Sequence, residues 1–111
     1  MIDFDKFIVE EMEATKEEIE PLYLIYSSEM DDMISQLSEA SDLGDADTYK
    51  RLLHNVKGIN ANMRIDVITN PVAEIYQALL AGNTVDLKDS TDNISSIFAK
   101  VKAEIAEYFS N

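Results

Sequence analysis

The chain contains one histidine, His54, in the run Leu53-His54-Asn55-Val56-Lys57-Gly58. Projected at about 100° per residue, Lys50, Lys57, Gly58 and Ala61 fall on its side of a helix, while Tyr49, Leu52, Val56, Ile59 and Met63 gather opposite. The imidazole is therefore expected to face solvent, flanked by two cations and a residue with no side chain. An exposed imidazole serves as metal ligand, general base or nucleophile. A metal site wants further histidines or carboxylates one turn away, but those positions hold Lys50, Lys57 and Gly58, whose cations repel a metal ion. A triad base needs a nucleophilic Ser or Cys and an orienting carboxylate, which this helix face lacks and which only distant residues could supply. The nucleophile role suits the neighbours. An imidazole that accepts a phosphoryl group gains close to two negative charges, which Lys57 one turn on can meet in a charge-assisted contact, with Lys50 one turn back adding a weaker attraction. Gly58 costs about 1 kcal/mol relative to Ala in a helix interior, and bare backbone beside the imidazole lets a partner approach closely. The plain alternative is an idle surface histidine with a lysine at i+3, a common pairing on helices.

Something must hold that helix in place, and the apolar residues recur at threes and fours, which predicts an all-α chain. A short first helix is expected from about Phe4 to Ala14, with Asp3 as N-cap and Phe4, Phe7, Ile8 and Met12 as its apolar stripe. Thr15-Lys16-Glu17-Glu18 has the order of a capping box and opens a long helix to about Ala40. Pro21 predicts a kink or a later start there. Beyond it Leu22, Ile25, Tyr26, Met30, Met33, Ile34 and Leu37 keep the helical period, and the polar stretch Ser38 to Gly44 ends the helix. Asp45 caps the next one, about Ala46 to Met63, which carries His54. Arg64 to Asn70 breaks the pattern before Asn70-Pro71, an N-cap followed by proline at the first helical position. A helix of about Pro71 to Ala81 follows, with Val72, Ile75, Tyr76, Leu79 and Leu80 on its buried face and Gly82-Asn83 as its stop. The last helix begins between Asp86 and Asp92 and runs to about Phe109, burying Ile94, Ile97, Phe98, Val101, Ile105 and Tyr108. These lengths and short connections predict an antiparallel up-down-up-down four-helix bundle over 15–111, capped by the N-terminal helix in 1–14, all in one domain.

The 111 residues, 46% of them apolar, suffice for one core. With no cysteine, disulfides and thiolate metal sites are excluded. Met1-Ile2-Asp3-Phe4-Asp5-Lys6 does not read as a secretory signal, and no apolar run approaches the roughly 18 residues of a membrane span. A cytoplasmic protein is expected, stand-alone because it starts at Met1 and the bundle fills the chain, and monomeric by default. The 22 acidic against 9 basic residues leave a formal charge of −13, which repels nucleic acid and anionic lipid. Neither nucleic acid nor membrane is an expected partner.

His54-Asn55-Val56-Lys57-Gly58, followed by Ala61 and Asn62, resembles the His-x-x-Lys-Gly signature of histidine-containing phosphotransfer (HPt) domains of two-component phosphorelays. The likeness extends to an acidic helix with Leu22 to Leu37, a polar connection ending Gly44-Asp45, the signature helix, and a helix ending Leu80-Ala81-Gly82-Asn83. It covers about Glu17 to Phe109. The resemblance implies a carrier rather than an enzyme, with His54 as phosphoacceptor and Lys57 as the charge beside its phosphate. The phosphoryl group comes from a receiver-domain aspartate or a histidine kinase and passes to a response-regulator receiver. Lys50, Asn55, Gly58 and Ala61 would contribute to docking. The chain itself would bind no metal or cofactor, because the receiver supplies the acidic pocket and Mg²⁺. Three departures are visible. Ile59-Asn60 stand where small residues are usual, Arg64 stands where a glycine is usual, and Pro71 falls within a helix of the family. The changes at Ile59, Asn60 and Arg64 motivate an alternative, a degenerate HPt-like acidic helical adaptor that binds a receiver or kinase without being phosphorylated.

Overall fold

The computed structural model describes residues 2–110, and these form helices with no strand among them. A π-helical turn, Lys6–Glu11, precedes four long helices: α1 (Lys16–Leu43), α2 (Ala46–Asn62), α3 (Asp66–Leu80) and α4 (Leu87–Phe109). None of the described helices is long and apolar enough to cross a membrane.

Short polar side chains start three of the four. Thr15 accepts from the Glu18 backbone N–H while the Glu18 carboxylate accepts from Thr15, closing the expected capping box. Asp45 accepts from the Thr48 N–H at 3.1 Å and Asp86 from the Asp89 N–H at 3.0 Å. The Thr48 hydroxyl also donates to Asp45, and these bonds hold the Asp45 carboxyl below its ordinary pKa. Gly44 ends α1 at φ 66°, a left-handed turn that a residue without Cβ adopts cheaply.

In space α1 packs on α2 and α4, and α3 packs on α2 and α4. The core between them includes Tyr23, Tyr26, Met30 and Leu37 of α1, Tyr49, Leu53 and Val56 of α2, Ile68 and Val72 of α3, and Ile94, Phe98 and Val101 of α4. The N-terminal segment seals one end. Phe4 stacks on Tyr108 with ring centroids 4.7 Å apart and meets Tyr23 edge-on at 5.6 Å, and the Tyr108 hydroxyl donates to Asp5.

Four boundaries differ from the periodicity reading. The first helix is a six-residue π turn, not an α-helix to Ala14, because Glu13 turns left-handed at φ 50°. Asp3 accepts from the Lys6 N–H at 3.0 Å, but the residue that precedes the turn is Asp5, whose side chain makes no cap bond; Phe4, Phe7 and Ile8 are buried, and Met12 is exposed. Helix α1 has no later start at Pro21 and runs through the polar stretch to Leu43, since only Gly44 turns the backbone. Helix α3 starts at Asp66, so Pro71 lies inside it rather than at its first position. The buried set Ile65, Ile68 and Val72 keeps a helical spacing across the stretch expected to be broken, and its burial outweighs the one backbone hydrogen bond that Pro71 forgoes. Three residues assigned to apolar faces, Leu22, Ile25 and Leu80, are instead exposed.

Candidate functional site

Helix α2 is anchored by its buried side. Leu53 and Val56 are fully buried, and Tyr49 is held at its hydroxyl by Thr91 at 2.8 Å and by the Leu87 carbonyl at 3.2 Å. Asn60, also fully buried, closes the register with α1: its amide donates to the Val56 carbonyl at 2.8 Å and to Met30 Sδ, and its Oδ1 accepts from the Tyr26 hydroxyl at 2.6 Å. Burial, with the neighbouring Tyr23 adding to it, pushes the Tyr26 phenol well above its ordinary pKa, so it remains a donor. Asn60 is thus a core residue with its polar atoms matched, not a feature of the surface.

His54, Asn55 and Gly58 emerge exposed on the other side, as the projection anticipated, while Lys50, Lys57 and Ala61 are half-buried. A shallow groove of about 550 Å³ runs between α1 and α2 beside the imidazole. Glu29, Asp32, Met33 and Gln36 line it from α1, and His54, Asn55, Gly58 and Ile59 from α2. Three of the expected residues therefore share one hollow, whereas Lys50, Lys57 and Ala61 are not among its lining. Lys57 lies instead on the α3 flank, its Nζ 5.4 Å from the centre of the Tyr76 ring. The same ring meets the imidazole with centroids 5.7 Å apart and planes tilted by 40°.

Lys57 and Lys50 form no ion pair among the described residues, whereas Arg64, Lys88 and Lys102 each hold a carboxylate. Gly58 has φ in the ordinary helical range, and a Cβ there would meet nothing within 4 Å. Nothing in the chain's own packing calls for a glycine at this position. Arg64 takes φ 58°, a left-handed backbone where glycine is the cheap choice. Its guanidinium donates to the Ala61 carbonyl at 3.0 Å and to Glu11 at 3.1 Å, which offsets part of that cost and ties the helix end to the N-terminal segment.

The sequence reading missed Tyr76 as a neighbour of His54 and missed the α1 carboxylates Glu29 and Asp32. Tyr76 had been assigned only to a buried face, and it is half-buried. No local signal links these residues to His54, since they meet it only through the packing of α1 and α3 on either flank of α2. Family models, curated proteins and solved structures were each compared with the chain, and nothing matches.

Proposed function

We propose that this chain is a phosphoryl carrier of the HPt type, an antiparallel four-helix bundle with His54 as its phosphoacceptor. The contacts of α1 with α2 and α4, and of α3 with both, support the arrangement. The observation that carries the function is the company of the imidazole. His54 is exposed, Lys57 one turn on has no carboxylate partner among the described residues, and Gly58 leaves open space that the fold itself does not use.

In the transfer, the lone pair of one ring nitrogen forms a bond to phosphorus as the bond to the donor's aspartyl oxygen breaks and its electron pair leaves with the carboxylate. The other ring nitrogen keeps its proton until the phosphoimidazolium releases it to water. Lys57 meets the incoming charge. Reversal onto a second receiver aspartate makes the chain a carrier, not an enzyme, with kinase and receiver domains as partners and Mg²⁺ on the receiver side. Groove residues of α1 join Asn55 and Gly58 in docking, with Lys50 and Ala61 at its border.

Incubation with a phosphorylated receiver domain is expected to label His54 with an acid-labile, alkali-stable bond. Label on His54→Gln equal to that on the parent overturns the proposal. Receiver binding that survives His54→Ala, with no transfer in the parent, identifies the adaptor alternative instead.

A further inference from the structure

Among the described residues Tyr76 is the one aromatic side chain that meets both members of the proposed transfer site. Its ring lies 5.7 Å from the imidazole centroid and 5.4 Å from Lys57 Nζ, and its hydroxyl makes no hydrogen bond to the described residues. The ring is half-buried on α3, one turn beyond the fully buried Val72, so helix packing sets its position. A lysine has a flexible four-carbon stem and strays over many rotamers unless something holds it. In this acidic chain two carboxylates, Glu29 and Asp32, line the groove that His54 shares on its α1 side. A ring face on the α3 side attracts the ammonium through its quadrupole without neutralising it.

We propose that Tyr76 is a positioning residue for phosphoryl transfer: its ring holds the Lys57 ammonium beside His54, away from the α1 carboxylates, until a phosphoryl group arrives to take the cation. The hold is weak enough to yield, because a charge-assisted pair with phosphate exceeds a surface cation–ring contact. The ring face and not the hydroxyl carries this role. It rests on His54 being the phosphoacceptor.

Phosphoramidate, a small donor, tests it without any partner protein. The imidazole nitrogen bonds to phosphorus as the donor's P–N bond breaks, and ammonia leaves with the electron pair. Initial rates of His54 labelling are compared for the parent, Tyr76→Phe and Tyr76→Leu, each with Lys57 intact and in Lys57→Ala, with circular dichroism confirming the folds and Tyr76→Met replacing any leucine variant that unfolds. Tyr76→Phe is expected to match the parent. Tyr76→Leu is expected to be slower by about two- to fivefold, the rate equivalent of a surface cation–ring contact, and to add nothing once Lys57 is alanine. A Tyr76→Leu rate equal to a labelled parent's, or a loss that persists in Lys57→Ala, overturns the positioning role alone. A parent that takes up no label overturns the phosphoacceptor reading and this role with it.

Discussion

Tyr49, Leu53, Val56 and Asn60 on one side of α2 have almost no contact with water, while His54, Asn55 and Gly58 on the other remain open to it, although the two sets interleave along the same few turns. The buried side is over-determined. Apolar contacts surround Leu53 and Val56, and hydrogen bonds at Tyr49 and Asn60 fix the helix's rotation and its register against α1 and α4. The open side is sparsely held, with Tyr76 the only ring among the described residues against His54 and Lys57. A helix pinned on one side can present a reactive group on the other without that group contributing to stability, so the two sides should respond to substitution in different measures and even in different directions.

The largest effect is expected at Leu53. Leu53→Ala leaves a cavity beneath His54 and should lower unfolding free energy by about 2 to 5 kcal/mol in urea denaturation. A loss below about 1 kcal/mol would mean that α2 is not anchored there. Next comes Asn60→Ala, which strands the Tyr26 hydroxyl in the core without its acceptor and should cost about 1 to 3 kcal/mol. The double variant with Tyr26→Phe should recover part of that cost, and additive losses would show that the hydrogen bond is not the cause. On the open side the sign reverses. Gly58→Ala should raise stability by up to about 1 kcal/mol, because helix propensity improves and the added methyl meets nothing in the chain. It should also slow transfer from a phosphorylated receiver while leaving labelling by phosphoramidate unchanged. A stabilised variant with undiminished receiver transfer would remove partner access as the reason for the glycine.

Much of this contrast was legible in the residues. The alternation of Tyr49, Leu52 and Val56 with Lys50, His54, Lys57 and Gly58 predicted which side of α2 is buried, because helical geometry turns spacing into direction. The caps at Thr15 and Asp45 were legible for a similar reason, since each bonds to the backbone only three residues on, whereas Asp86 was only one end of the range in which the last helix was expected to start. The start of α3 was misread because Asn70-Pro71 mimics a helix start, while the stronger instruction, burial of Ile65 and Ile68, depends on neighbours far along the chain. Leu22, Ile25 and Leu80 keep the helical period but are exposed, so periodicity alone does not say how much of an apolar stripe its partners cover.

The sequence by itself determined the helical character, the local caps and the outward turn of His54 with Lys57 one turn away, because each follows from bonds and angles within about two turns of chain. Only the tertiary structure decided what stands beside that histidine. Tyr76 on one flank and the Glu29 and Asp32 groove on the other come from α3 and α1. Their positions depend on how whole helices rotate and slide to fill a shared core, a many-body outcome that no local spacing encodes.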